Sequence, residues 1–272
     1  MDSSDKPEKF IEYYSGYDEQ GRLAGGNIEF VRTQILIERH LPPAPAVVLD
    51  VGGAAGRYAC WLAELGYEVH LVDPVPRHVE QARDASAAQP DAPIASVRLG
   101  DARQLAFDAE VADAVLLLGP LYHLTELADR QRALAEAYRV LKPGGVLFAA
   151  GISRFASTED GLMSGFYRDP AFREIMLNDL EDGQHRNPTG NPAYFTDTFF
   201  HHPDELRAEV AGAGFEVAQP FAVEGIGYLM QDFETRWQVE ADRTFLLEVI
   251  AKTEQEPSLI GISPHILCVG IK

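Results

Sequence analysis

Cysteine and basic residues are both scarce in this chain of 272 residues. The two cysteines, Cys60 and Cys268, lie far apart in apolar segments, which predicts buried free thiols rather than a disulfide framework or a metal centre. Lysine and arginine total 23 against 42 aspartates and glutamates, a formal net charge of −19. This balance argues against nucleic acid as a partner, because phosphate contacts need clustered basic side chains.

Long apolar runs and blocks of like charge are also missing. No apolar stretch approaches the roughly 18 residues of a membrane span, so we expect no membrane partner. The first ten residues, MDSSDKPEKF, lack the basic region and apolar core of a secretory signal, so we expect a cytoplasmic protein. The acidic residues are dispersed, which is typical of a solvated surface rather than an acidic tail.

The most informative segment is VVLDVGGAAG, from Val47 to Gly56. Its apolar start, bounded by glycine, predicts a buried strand of a parallel sheet. The small residues that follow allow a ligand to approach the backbone closely, and the periodic stretch from Tyr58 to Leu65 predicts a helix. Strand, small-residue turn and helix together indicate the nucleotide-binding half of a Rossmann-like fold.

Two classes of ligand use such a turn, and the glycine spacing separates them. A dinucleotide fingerprint G-x-G-x-x-G begun at Gly52 needs glycine at positions 54 and 57, where the chain has Ala54 and Arg57. The methyltransferase pattern acid-x-G-x-G-x-G is met by Asp50, Gly52 and Gly56, with Ala54 in the middle position. The motif favours S-adenosylmethionine over a nicotinamide, and a tight turn that binds nothing is a further alternative.

A second acid ends the next predicted strand, which runs from Tyr67 to Val72. Asp73 stands where one carboxylate can accept both hydroxyls of a ribose. The alternative is a helix cap, because Pro74 and Pro76 predict the start of a helix directly afterwards.

Three more strands and a helix are predicted before residue 151. Ile94 to Leu99 predicts the third strand, and Asp101 after it can accept from an adenine amine or cap the following turn. Val111 to Leu118 is a buried apolar run that predicts the fourth strand. The helix covers Leu124 to Leu141, and the fifth strand covers Val146 to Ala150.

The segments VLDVGGAAG, LVDP, GDA, DAVLLLGPLYHL and RVLKPGGVLF, in this order, resemble class I S-adenosylmethionine-dependent methyltransferases, more narrowly those that act on small molecules. The resemblance covers Val47 to Gly151 and extends more loosely to the C-terminus. It implies an α/β fold with a Rossmann-like seven-stranded sheet, an antiparallel last strand, helices on both faces and a cap insertion. It also implies S-adenosylmethionine as cofactor and a small-molecule substrate. The implied cofactor-binding residues are Asp50, Gly52, Gly53, Gly56, Asp73, Pro74, Asp101, Ala102, Leu118 and Gly119.

Two positions depart from the family pattern. Ala54 replaces the usual middle glycine, and Gly53 replaces a frequent cysteine. The extra methyl at Ala54 narrows the turn. It keeps open a methyltransferase-like protein without methyl transfer activity, beside a nicotinamide-dependent oxidoreductase.

We expect four regions along the chain. Residues 1–45 form an aromatic-rich helical segment that closes over the ligand as a lid or docks on the core. Residues 46–151 form the S-adenosylmethionine-binding core, and the irregular residues 152–202 form a substrate cap containing a short helix at 170–180. Residues 203–272 complete the core, with predicted elements at Pro203–Ala213 (helix), Phe215–Val223 (strand), Leu229–Lys252 (helix) and His265–Ile271 (strand).

Methyl transfer to an O–H or N–H⁺ group requires a base. His123 is the first candidate, because it stands four residues after Gly119, beside the expected methyl group, and the unperturbed pKa of a histidine, ~6.5, suits proton transfer at neutral pH. Its alternative role is to cap or pack under the next helix. His201 and His202, at the end of the cap, are the next catalytic candidates, and we expect no metal because adjacent histidines seldom share an ion.

Other side chains are predicted to contact the substrate. A tyrosine offers an apolar body with a hydroxyl tip, and an arginine can pair an acidic acceptor or lie on a solvated face. Glu224 and His265 could also reach the pocket, although we expect core or surface roles for them. The predicted substrate-binding residues are Tyr13, Tyr14, Tyr17, Tyr122, Arg154 and Arg168.

Overall fold

A mixed sheet of ten strands organises the computed structural model, which describes residues 27–272. Its main path has the order β3-β2-β1-β4-β5-β10-β8. Strands β1 to β5 pair in parallel, and β10 runs antiparallel to β5. This topology confirms the predicted Rossmann-like fold with an antiparallel last strand. The strands are β1 (Val47–Val51), β2 (Glu68–Asp73), β3 (Ser96–Leu99), β4 (Ala112–Leu117), β5 (Leu141–Ser153), β6 (Gln184–His185), β7 (Thr198–His201), β8 (Glu216–Val217), β9 (Phe221–Ala222) and β10 (His265–Ile271).

Helices cover both faces of this sheet, as predicted. In β1, Leu49 and Val51 pack with α5 and α8, whereas Val48 packs with α1, α2 and α3 on the other face. A strand buried on both faces explains the continuous apolar runs in the sequence. The helices are α1 (Ile28–His40), α2 (Arg57–Glu64), α3 (Pro76–Ala88), α4 (Pro120–His123), α5 (Leu127–Val140), α6 (Ala156–Met163), α7 (Pro170–Asp182), α8 (Pro203–Gly212), α9 (Phe233–Trp237) and α10 (Glu240–Thr253).

The sequence predicts one continuous sixth strand over Phe215–Val223, and this prediction is wrong. The segment is divided into β8 and β9, which both pair antiparallel with β10. Pro220 lies between them, and a proline has no backbone N–H to donate to a neighbouring strand.

The predicted long helix over Leu229–Lys252 is likewise divided, into a short 3-10 turn followed by α9 and α10. Trp237 and Ile250 are both buried in one cluster with Ile28. At 3.6 residues per turn, one continuous helix would place these two side chains on nearly opposite faces. The extended backbone at Val239 (φ −88°, ψ 115°) breaks the helix and lets both face the same cluster.

The region between β5 and α8 is more ordered than its sequence indicates. Helix α6 precedes the predicted helix α7, and β7 returns to the sheet beside the end of β5, with Phe200 opposite Ile152. Strand β5 itself is longer than predicted, because it continues to Ser153. The cap is therefore anchored to the sheet at both of its ends.

Other expectations concern the first residues, the thiols and the membrane. Tyr13, Tyr14 and Tyr17 lie outside the described residues, as does most of the predicted N-terminal segment. Both cysteines are free, but Cys60 is only partly buried, unlike Cys268. None of the helices in residues 27–272 has the length and apolar character required to cross a bilayer.

Candidate active site

The turn between β1 and α2 leaves room for a ligand only because its first residues are glycines. Gly52 has φ +74°, and a Cβ there would lie 2.7 Å from Cγ of Pro120. A Cβ on Gly53 would lie 2.6 Å from Oδ2 of Asp50. Real side chains do not approach so closely, so the turn requires glycine at both positions.

Asp73 holds this turn from the end of β2. Its Oδ2 accepts a hydrogen bond from Ala54 N at 2.9 Å, and its Oδ1 accepts one from Val75 N at 2.9 Å. His78 Nδ1 lies 3.1 Å from the same Oδ1. Ala54 has φ 47°, a left-handed conformation that costs a residue with a side chain about 1–2 kcal/mol. The bond to Asp73 thus helps to keep Ala54 in the position that the family gives to glycine.

Asp50 is the most unusual charged group of the turn. Its side chain is 1% exposed, and its Oδ2 has no hydrogen-bond partner in the described part of the chain. Burial, with the nearby charge of Asp73, raises the pKa of Asp50 to about 7. A buried carboxylate oxygen without a partner is costly, so Oδ2 is suited to a cationic ligand group.

A cavity of about 440 Å³ lies above the turn and gathers most of the predicted cofactor positions. Among residues 27–272, its lining does not include Asp73, Pro74, Asp101 or Ala102. Asp101 instead accepts hydrogen bonds from Arg103, whose Nη2 lies 2.5 Å from Oδ2. Helix α1 adds Glu29 to the wall of this cavity. The predicted residues that line it are Asp50, Gly52, Gly53, Gly56, Leu118, Gly119 and Tyr122.

A second cavity of about 650 Å³ lies under the cap. Its walls combine acidic groups of α6 with aromatic rings from α7, β7 and the turn after residue 191. Tyr122 and His265 line this cavity and the first one alike. The two cavities therefore meet at these two side chains. The aromatic lining residues are Tyr122, Phe172, Tyr194, Phe195, Phe200 and Tyr228.

His265, at this junction, is held by a buried carboxylate. Its Nδ1 lies 2.6 Å from Oε1 of Glu224, which is 1% exposed. The other oxygen of Glu224 accepts from Ser263 Oγ at 2.9 Å and from His265 N at 3.0 Å. These contacts orient the ring, and a proton on Nδ1 leaves Nε2 as the basic nitrogen. The pair has the geometry of an oriented general base.

Two more carboxyl groups approach the junction. Potential ligand atoms of Glu29, Glu224 and His265 all lie within 4.8 Å of one another. Glu159 of α6 lines the cap cavity, and burial, with repulsion from Glu224 and Asp160, raises its pKa to about 7. The junction is therefore rich in negative charge.

The histidines favoured from sequence lie elsewhere. His123 ends α4, with its ring centroid 4.6 Å from that of Tyr122, and in the described chain it is not part of either lining. His201 is fully buried beside Phe199, and burial lowers its pKa. His202 caps α8, where its Nδ1 accepts from Asp204 N at 3.3 Å. His201 and His202 thus have structural contacts in place of the catalytic positions expected for them.

The predicted cap arginines also point to protein partners. Arg154 Nη2 donates to Oε2 of Glu205 at 2.6 Å, and the Arg168 guanidinium lies 5.0 Å from the ring centroid of Tyr167. Neither belongs to the described lining of the cap cavity. Of the substrate residues predicted within 27–272, Tyr122 is the one that reaches it.

Sequence reasoning placed Glu224 and His265 in core or surface roles. They are 41 residues apart, and their proximity depends on the antiparallel pairing of β9 with β10. An acid just after one strand and a histidine opening its antiparallel neighbour is the signal that identifies such a pair.

Comparison with known proteins agrees with this geometry. Residues 49–149 match a family model described as a methyltransferase domain. An uncharacterised methyltransferase of Mycobacterium tuberculosis is 36% identical over 107 residues, 39% of this chain and only 40% of that protein. A ubiquinone/menaquinone biosynthesis C-methyltransferase of Chromobacterium violaceum is 28% identical over 76% of this chain and 82% of its own length. The crystal structure of an S-adenosylmethionine-dependent methyltransferase from Methanosarcina mazei has the same fold, with a TM-score of 0.58 at 17% identity, covering 87% of this chain and 96% of that one.

Proposed function

We propose, from the premise that this chain belongs to the class I S-adenosylmethionine-dependent methyltransferases, that it transfers a methyl group from S-adenosylmethionine to a small-molecule acceptor. The observation that carries the proposal is the meeting of two cavities at Tyr122 and His265. One cavity has the glycine turn of the family, and the other lies under the cap. This arrangement suits a donor and an acceptor that react where their sites meet.

The first cavity fits the donor by its chemistry. The unpartnered oxygen of Asp50 complements the ammonium of the methionine moiety, and Gly52 and Gly53 allow that moiety to approach the backbone. Asp73 lies outside the described lining of this cavity and holds the turn by accepting from Ala54 N; as a carboxylate oxygen, its Oδ2 has capacity for a ribose hydroxyl as well. Among the described residues of this wall, Arg57 is the one arginine. Its guanidinium lies 3.9 Å from the ring centroid of Phe30, so this charge is already engaged by the ring.

When bound, the donor would supply a methyl group already activated on a sulfonium. The work left to the protein is alignment, exclusion of water and removal of a proton from the acceptor. His265 Nε2 would take that proton, while Glu224 keeps the ring in place and stabilises the imidazolium. The aromatic rings of the cap would position the acceptor and keep bulk water out.

Relatives named for ubiquinone or menaquinone biosynthesis support a small-molecule acceptor rather than a macromolecule. They include enzymes named as O-methyltransferases and as C-methyltransferases. The names of these relatives therefore do not identify the acceptor atom, which has to be inferred from the chemistry of this site.

Calorimetry separates the proposed function from its alternatives. The full chain is titrated with S-adenosylmethionine, S-adenosylhomocysteine, NAD⁺ and NADP⁺, and we expect binding of the first pair alone. Formation of S-adenosylhomocysteine is then followed with a panel of small phenols, hydroquinones and amines. Binding of a nicotinamide without the donor would identify an oxidoreductase. Donor binding without product from any acceptor would indicate a methyltransferase scaffold that has another role.

The base is tested by a matched pair of variants. His265→Gln should lower kcat about 10²- to 10⁴-fold, because a positioned general base contributes that much, and should leave the affinity for S-adenosylhomocysteine unchanged. His123→Gln is the control, since that histidine lies outside the described lining of both cavities. The reverse pattern would return the role of base to His123.

A further inference from the structure

The lining of the cap cavity contains carboxylates, serine hydroxyls, two histidines and aromatic rings, but no lysine or arginine from residues 27–272. Resting on the proposed function, we infer that the acceptor is a small amine with an aromatic body, which binds as an ammonium ion under the cap and is methylated on nitrogen. The inference comes from three features of the cavity wall, which are its charge, a buried hydroxyl and its rings.

The negative charge of the described wall lies on α6 and at the junction. Glu159 and Asp160 enter from α6, and Glu224 lies behind His265 at the junction. Burial is the main reason that the pKa of Glu159 is raised to about 7, and repulsion from Glu224 and Asp160 adds to the rise. A cation placed among them would relieve the repulsion, whereas a phenolate or carboxylate would add to it.

Ser157 supplies a separate observation that points to a ligand. This residue lines the cavity and is only 5% exposed. Its Oγ has no hydrogen-bond partner within the described chain, although buried hydroxyls normally have one. An ammonium N–H beside Glu159 would provide the missing donor.

The rings of the cavity suit the rest of such a ligand. Phe172 and Tyr194 pack together with a centroid distance of 4.7 Å, and both line the wall. Tyr122 lies at the junction, because it lines both cavities. Burial raises the pKa of Tyr228, and Glu224 and Glu29 are close enough for their charges to add to this effect. Aromatic faces attract both an aromatic body and an ammonium group. A flat amine therefore finds a complement for each of its parts.

The proposed methyl transfer balances with the groups that the site and the donor supply. His265 takes one proton from the ammonium, so that the N–H bonding pair becomes a lone pair on nitrogen. That pair forms the new N–C bond, and the C–S bond of the donor breaks with its electrons left on sulfur. The products are a methylated ammonium ion and S-adenosylhomocysteine, and His265 releases its proton to solvent. The carboxylates offset the two cations, ammonium and sulfonium, that must meet at the junction.

The test compares matched ligands on the full chain saturated with S-adenosylhomocysteine. The calorimetric probes are phenethylamine, benzylamine and tyramine, each against the corresponding alcohol and carboxylate. We expect each amine to bind at least about tenfold more tightly than its alcohol, because a charge-assisted hydrogen bond is stronger than a neutral one. The carboxylates should bind more weakly than the alcohols.

Variants assign the preference to the acidic wall. Glu159→Gln should reduce the preference for amine over alcohol about tenfold and leave the affinity for S-adenosylhomocysteine unchanged. Asp160→Asn provides a second variant, and Glu181→Gln, exposed on α7, is the matched control. If S-adenosylhomocysteine binds and no amine binds better than its alcohol, the amine inference is overturned and the proposed function stands. Failure of S-adenosylhomocysteine to bind at all would instead count against the proposed function.

Discussion

Replacement of Asp50 by asparagine should make the ligand-free protein more stable while weakening its hold on the donor. The carboxylate is 1% exposed, and its Oδ2 has no partner in the described chain. Burial and the charge of Asp73 raise its pKa from 3.8 to about 7. The folded state therefore binds this proton more tightly than the unfolded chain does.

The sign and size of the effect follow from linkage. Because the folded pKa is raised, the associated stability is fully present below about pH 4 and is lost as the pH rises through 7. About three pKa units at 1.36 kcal/mol each set an upper limit of about 4 kcal/mol on this loss. Asparagine cannot ionise, so Asp50→Asn avoids the loss. Allowing for burial of an amide, we expect a gain of about 2 kcal/mol at pH 8.

Urea unfolding of the wild type and of Asp50→Asn at pH 5 and pH 8 measures this effect. The stability difference should grow by about 2–3 kcal/mol between these two pH values. Affinity for S-adenosylhomocysteine should fall by about 1.5–3 kcal/mol, because the ammonium loses a charged partner. Asp84→Asn removes the same charge from an exposed position on α3 and should do neither. A variant less stable than the wild type at pH 8, or a difference that does not change with pH, would refute the reasoning.

Three further predictions address the turn and the core. Gly52→Ala should abolish binding of S-adenosylhomocysteine and lower the free energy of unfolding by about 2 kcal/mol, because its Cβ would meet the proline that opens α4. Gly190→Ala, with φ +69° and no atom within 4 Å of the added Cβ, isolates the backbone cost in the same unfolding and calorimetric assays. Asp73→Ala should weaken the binding of S-adenosylhomocysteine by about 1.5–3 kcal/mol per lost hydrogen bond, as measured by calorimetry. An unchanged Kd would place the ribose elsewhere. Burial raises the pKa of Glu209, but the nearby His201 ring and hydrogen bonds from Arg130 outweigh it and lower this pKa to about 2. The stability that Glu209 adds is therefore present above pH 4.5 and lost towards pH 2. Glu209→Gln should flatten that acid limb in urea unfolding, and an unaltered limb would show that Arg130 does not depend on this carboxylate.

The proximity of the proposed donor-binding residues could be predicted because these residues are nearly local in sequence. Asp50, Gly52 and Gly56 lie within seven positions, and Leu118 follows a neighbouring strand of the same sheet. Parallel strands end at one edge of a sheet, so the apolar runs alone placed these residues together. The bounds of β1 and β4 were correct to within one residue, because a strand buried on both faces is continuously apolar.

The helix and strand divisions near the C-terminus could not be predicted by the same means. The periodicity over 229–252 is compatible with one helix, and it is the shared cluster of Trp237 and Ile250 with Ile28 that requires two. Ile28 is more than two hundred residues away in sequence. Tertiary packing therefore decided an element that local propensity left open.

The acceptor half is assembled from segments that no short motif connects. Tyr122 comes from α4, Glu159 from α6, and His265 from the start of β10, with Glu224 after β9 holding its ring. Each of these residues has an ordinary structural explanation when taken alone, and the chemistry appears only when the sheet brings them to one edge. This division has a physical basis, because a turn fixed by local backbone can bind one ligand group with few side chains. The proposed acceptor site is instead built from side chains of separate elements, which the fold can exchange without disturbing that turn.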